Sequence, residues 1–238
     1  MRLGIMQPYF FPYLGYFELI QLSDDWVVFE TVKYKPKSWM NRNRILHPRS
    51  GWQYVSTPIE KHTESGLIKD ARQVDPGAAR ERILGQIDHY RLKRAPYFDQ
   101  VRELIERSFA RAGSSLLADV NVSSLEEVCA YLDLEFRPRR LSEMGLDIPP
   151  IEHAGQWAVE ISDLLGAPIY INAPGGRGIF HPEEFAARGI ELLFLVPRPM
   201  RYATPGYEFV ENLSILDVMM WNAPERIREH VAGAALAP

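Results

Sequence analysis

Apolar positions cluster at the start of the chain. Arg2 to Met6 is a short apolar run that Gln7-Pro8 interrupts, and aromatic and aliphatic residues then crowd Tyr9 to Ile20 around Pro12 and Gly15. This order predicts a strand, a turn and a helix. Trp26 to Phe29 is an unbroken β-branched and aromatic run of the buried-strand kind, and it empties into a polar stretch, Glu30 to Arg44, that reads as a loop or irregular hairpin. Gln53 to Ile59 and Leu67 to Val74 resemble two more strands, antiparallel neighbours joined by a turn at Glu64-Ser65-Gly66.

From Pro76 the period changes. Ile83, Ile87 and Tyr90 recur three or four apart, as do Val101, Leu104, Ile105 and Phe109, with Pro96 between the two sets, so two helices are predicted. Ser123 followed by Glu126 has the spelling of a capping box, which predicts a helix from there to Leu132, then a strand near Phe136 and a connector from Arg139 to Pro150. Trp157, Ile161, Leu164 and Leu165 mark one helical face ending at Gly166. A strand at Ile169 to Ile171, a loop at Pro174 to Gly178, a short helix from Pro182 to Arg188 and a strand from Leu192 to Val196 complete a β-loop-α-β unit. Asn212 or Ser214 caps a helix near Ile215 to Trp221, Pro224 opens another, and Ala232 to Pro238 reads as a frayed tail. The pattern predicts an α/β fold in which a mixed sheet is flanked by helices in a single compact domain over residues 1–238, without internal repeats.

Composition narrows the function. The 238 residues are 46% hydrophobic and 24% charged, as in an ordinary globular protein, and no apolar stretch approaches the roughly 20 residues of a membrane span. With 27 Lys and Arg against 31 Asp and Glu, the net charge of -4 gives no general attraction to DNA or to an anionic membrane. One cysteine, Cys129, forms no intrachain disulfide, and no charged and apolar leader opens the chain, so a cytoplasmic location is expected.

Against this acidic background Lys33 to Arg44 packs three lysines, two arginines, two asparagines and two aromatic rings into twelve positions. Guanidinium groups grip phosphate bidentately and aromatic rings stack on bases or sugars, which suits a phosphate-bearing small molecule. Lys35, Arg42 and Arg44 are assigned to phosphate, Gln7, Asn41 and Asn43 to ligand orientation, and Tyr13 or Trp39 to stacking beside a wall that includes Tyr9. In an extended Asn41-Arg42-Asn43-Arg44 segment the two arginines share one face. Gly175 and Gly176 lie in a strand-to-helix loop where backbone N–H groups approach an anion, although this loop is neither a dinucleotide nor a P-loop motif.

Nucleophile and metal motifs are missing from the sequence. His47, His62, His89, His153, His181 and His230 show no metal-ligand spacing, so neither a metal nor another cofactor is expected, and Cys129 sits in an amphipathic helical context that favours a buried thiol. His153, after two prolines at a helix start, and Asp217, three residues beyond Ser214, are the candidates for proton transfer.

Met6-Gln7-Pro8-Tyr9-Phe10-Phe11-Pro12-Tyr13-Leu14-Gly15-Tyr16-Phe17 resembles the opening signature of the WbqC-like family. The likeness continues through Trp39-Met40-Asn41-Arg42-Asn43-Arg44-Ile45, His89-Tyr90, Leu165 to Ile171 and Asn212 to Asp217, departing at Thr31-Val32-Lys33 and Gly178-Ile179-Phe180. The resemblance implies a bacterial cytoplasmic protein of surface-polysaccharide loci, such as those for O-antigen, that transfers glycine or a related acyl group to an amino sugar. The expected activity is therefore N-acyl or aminoacyl transfer to the amine of a nucleotide-linked sugar, from a donor that is a thioester on a carrier protein, an aminoacyl-tRNA or an adenylate. The alternative is a non-catalytic protein that presents a sugar nucleotide, acyl carrier or aminoacyl-tRNA to a partner enzyme.

Overall fold

A computed structural model describes residues 1–61 and 65–238. Its centre is β1 (Arg2–Met6), flanked on one side by β2 (Asp25–Val28) and then β5 (Pro138–Arg140), and on the other by β6 (Ile169–Asn172), β7 (Glu191–Leu195) and β8 (Leu236–Ala237). These six strands form a mixed sheet, parallel except for β8, which runs antiparallel to β7. Leu3, Ile5, Val27 and Tyr170 pack against α5 (Gln156–Leu164) and α6 (Pro182–Ala187). Trp26, Val28, Ile171 and Leu195 belong to a second core with α1 (Leu14–Leu22) and α8 (Pro224–Ala232). Alternate residues of a strand point to opposite faces, so a sheet covered on both sides needs the near-continuous apolar runs seen in β1 and β2.

The second core also contains a helical layer, α2 (Pro76–Leu92), α3 (Phe98–Ala112), α4 (Leu117–Tyr131) and α7 (Ile215–Trp221), packed beside a hairpin of β3 (Arg42–Leu46) and β4 (Trp52–Ser56). Caps fix several boundaries, Ser214 and Gly166 as the sequence predicts and Asp75 in addition. The Asp75 side chain accepts from Ala78 N–H ahead of Pro76, the Ser214 side chain accepts from Leu216 N–H, and Gly166 closes the α5 segment at φ +62°. Among the described residues no helix is long and apolar enough to cross a membrane.

Several elements differ from the sequence reading. Leu67 to Val74 forms a 3-10 turn at Ile68–Asp70 in place of a continuous strand; its antiparallel pairing with the Gln53 to Ile59 segment survives as a single bridge, Ile59 with Gln73, while Leu67 bridges Lys33, Arg72 bridges Leu116 and β4 takes β3 as its ladder partner. His62 and the Glu64 end of the expected turn lie outside the described residues. α4 starts at Leu117, so Ser123 is a buried residue in mid-helix and not a cap; burial of Leu117, Val120 and Leu125 carries the helix through it. Phe136 packs edge-on against Trp26 and the strand begins two residues later, at Pro138. The tail is not frayed, since Leu236 and Ala237 pair with Leu195 and Phe194 and thereby cover the edge of β7.

Candidate functional site

The strand order places a crevice at the carboxyl ends of β1 and β6. From β1 the chain first builds outward through β2 and β5, then returns to build through β6 and β7 on the other side. Connections leaving two adjacent strands in opposite directions open a gap at their ends, the usual ligand position in open α/β sheets. Phe29 N–H donates to Met6 O at 2.8 Å, which carries the β1–β2 pairing up to the mouth of this gap.

A cleft of about 740 Å³ occupies the crevice. Gln7 and Tyr9 enter it from the end of β1, Trp39, Asn43 and Arg44 from the basic segment and β3, Trp157 from α5, and Pro174, Gly175 and Gly176 from the turn after β6. Two smaller cavities adjoin it. One, of about 490 Å³, shares Gln7, Tyr9 and Trp39 with the cleft and is lined by Lys33, Lys35, Lys37 and Arg42. The other, of about 290 Å³, shares Tyr13, Pro174, Pro197 and Asn212 and contains Glu18 and Arg198. Among the described residues no acidic side chain lines the cleft or the basic cavity, so their field is positive within an acidic protein.

Buried amides and hydroxyls hold the segment after β1 in shape. Asn121 donates to Pro8 O and Met40 O, both at 2.8 Å, and Tyr16 OH donates to Gln7 O at 2.9 Å. Phe11 adopts φ +39°, a left-handed conformation uncommon for a bulky residue; Asn43 Nδ2 at 2.9 Å and Ser214 Oγ at 2.7 Å both donate to its carbonyl. Asn43 also donates to Phe10 O at 3.2 Å and accepts from Arg44 N–H at 2.8 Å, so its amide shapes the cleft floor. Asn41 donates to Thr57 O at 3.1 Å and lines none of the three cavities.

Arg42 and Arg44 lie on one side of β3, with buried Asn43 between them on the other. The Arg42 guanidinium covers the Tyr54 ring at 4.0 Å. Arg44 sits between Trp39 and Trp52, at 5.4 and 5.2 Å from their ring centres, and donates to Asn212 O at 3.1 Å. Arg42 thus faces the basic cavity and Arg44 the cleft, with Trp39 shared between them and 41% exposed. Gly176 spends its N–H on Ala173 O at 3.0 Å, so the turn supplies close backbone approach and not an anion cradle through that group.

Neither proton-transfer candidate lines the cleft. Asp217 is buried within the helical layer, where its carboxylate accepts from Tyr90 OH at 2.5 Å and Tyr202 OH at 2.7 Å; burial pushes its pKa up to about 6 although both hydroxyls pull it down. His153 Nε2, in the turn before α5, lies 2.9 Å from Glu184 Oε1. Cys129 is buried, and burial pushes its thiol well above the ordinary range, away from nucleophilic use.

Glu18 was not singled out in the sequence, although it is the sole charged residue between Tyr9 and Leu22. Its side chain is 4% exposed, Oε1 has no hydrogen-bond partner among the described residues, and burial pushes its pKa up to about 7 against the pull of Arg198. His230 Nε2 is 3.3 Å away, but that nitrogen pairs with Arg198 O at 3.0 Å, and burial lowers the His230 pKa. The two groups are therefore pushed toward neutrality rather than toward an ion pair.

The model of the WbqC-like protein family matches residues 7–229. An uncharacterized protein of Mycobacterium tuberculosis is 23% identical over 236 residues, covering 95% of this chain and 97% of that protein. No solved structure matches the chain.

Proposed function

For this chain, which belongs to the WbqC-like protein family, we propose N-acyl or aminoacyl transfer to the amine of a phosphate-bearing acceptor, such as a nucleotide-linked amino sugar of surface-polysaccharide synthesis. The observation that carries the reading is the cavity lined by Lys33, Lys35, Lys37 and Arg42, opening beside Trp39 onto an aromatic cleft in a protein of net charge -4. Phosphates bind the cations, a base or sugar ring stacks on Trp39, and Gln7 orients the acceptor where the two cavities meet. The amine attacks the acyl carbonyl carbon, forming the N–C bond. The bond to the donor's sulfur or oxygen breaks, and the ammonium proton passes to a base.

Glu18 fits that base better than His153 or Asp217. It lines the cavity that joins the cleft at Tyr13, and a pKa of about 7 leaves it half ionised near neutrality, able to accept a proton and release it again. The test is to incubate the protein with a panel of nucleotide-linked amino sugars and with thioester, aminoacyl-tRNA and adenylate donors, and to look for the mass of an amide product. Turnover that falls in Glu18→Gln while acceptor binding stays constant supports the assignment. Saturable binding of the sugar nucleotide with no product from any donor replaces transfer with the presenting role.

A further inference from the structure

We infer that His153, His181 and Glu184 form a binding site for one first-row divalent transition metal ion of the zinc type. The three come from two segments on either side of β6: His153 from the turn before α5, His181 from the residue ahead of α6, and Glu184 from the first turn of α6. His153 Nε2 is 2.9 Å and His181 Nδ1 3.5 Å from the same oxygen, Glu184 Oε1, and the donor atoms of all three residues lie within 4.8 Å of one another. The imidazole rings stack at 4.5 Å with 17° between their planes, so binding one ion through both requires the half-exposed His181 ring to turn until its plane meets that of His153 near the carboxylate. Metal–nitrogen bonds of about 2.0 to 2.1 Å in tetrahedral geometry separate donors by roughly 3.3 Å. The two nitrogen-to-oxygen separations, 2.9 and 3.5 Å, bracket that value.

A hydrogen bond alone leaves this group incomplete. His153 satisfies one oxygen of Glu184, while Oε2 is buried with no hydrogen-bond partner among the described residues. A cation held between the carboxylate and both imidazoles offsets that desolvated charge. Two imidazoles with one carboxylate select zinc-like ions over magnesium or calcium, which prefer all-oxygen sites. His181 is about half exposed, giving an ion a path from solvent, and three protein donors leave a fourth position for water.

The site would staple one wall of the cleft. Ala154 and Trp157, just after His153, and Ile179 and Phe180, just before His181, all line the cleft. The two segments already touch at Gly155, where an added Cβ would collide with Ile179 O. Sequence spacing hides the donors, because His153 and His181 are brought together only by the path of the chain around β6.

The test uses the full chain, stripped with a chelator, dialysed, and titrated with Zn²⁺ by calorimetry and with Co²⁺ by visible absorption. One equivalent per chain is expected, with d–d bands of a four-coordinate nitrogen–oxygen site that Zn²⁺ displaces, and with a rise in Tm on adding Zn²⁺. His181→Ala and Glu184→Gln are expected to lose the bands and the stoichiometric binding while retaining the native circular dichroism. His181 is the safer change because it is exposed. No stoichiometric binding to the parent chain, or binding that survives in both variants, overturns the assignment. These readouts are independent of acyl transfer.

Discussion

Replacing Glu18 by Gln removes a buried acid whose ionisation opposes folding. Its pKa is raised from 4.5 to about 7 by burial. Below pH 4.5 the carboxyl is protonated in both folded and unfolded chains and the fold keeps the full benefit. As pH rises toward 7 the unfolded chain gives up the proton first, so stability falls with pH and levels off once the folded carboxyl has ionised. A gap of about 2.5 pH units at 1.36 kcal/mol per unit comes to about 3 kcal/mol. Glutamine keeps the shape and cannot ionise. Urea unfolding of both proteins, followed by tryptophan fluorescence from pH 4.5 to 8.5, is therefore expected to show the variant gaining on the parent by about 3 kcal/mol across that range, with unchanged m-values. Titrations of groups that do not touch Glu18 cancel in the difference, and a second comparison in a His230→Gln background removes the contribution of its neighbour at 3.3 Å. A difference independent of pH would mean that Glu18 ionises at its ordinary value, and would remove the ground for assigning it as the base.

Arg42→Ala and Arg44→Ala are each expected to weaken sugar-nucleotide binding roughly ten- to hundredfold by calorimetry, from the loss of about 1.5 to 3 kcal/mol per charge-assisted bond, with incomplete rescue by lysine. Unchanged affinity in the folded double variant would reduce the basic segment to a solvated surface. Asp217→Ala strands the Tyr90 and Tyr202 hydroxyls, so chemical denaturation is expected to show a loss of about 3 kcal/mol or more, and the loss must be of stability before activity. Cys129→Ala is expected to keep activity and to lose about 1 to 2 kcal/mol of stability; an acyl adduct on that sulfur by mass spectrometry would contradict its structural role.

Features governed by neighbours along the chain were legible without the fold. The apolar run of β1, the 3.6-residue period of α2 and α3, the Ser214 cap, the β6-to-β7 unit and the alternation that sets Arg42 and Arg44 on one side of β3 all arise from local geometry, in which a few adjacent residues decide the outcome. The basic run was equally plain against the net charge of -4. The shortest element was not, since β8 exists only because the edge of β7 is there to receive it, and β5 was legible only to within two residues. The roles of polar residues depended on partners far along the chain. Asn121 holds Pro8 across 113 residues, Tyr90 meets Asp217 across 127, and Ser214 bonds Phe11 across 203. Tertiary packing therefore took Asp217 out of the cleft, set Glu18 in a cavity beside it and joined His153 to His181 and Glu184. The physical reason is that burial and hydrogen-bond satisfaction are properties of three-dimensional surroundings, whereas periodicity, capping and charge density are written along the chain itself.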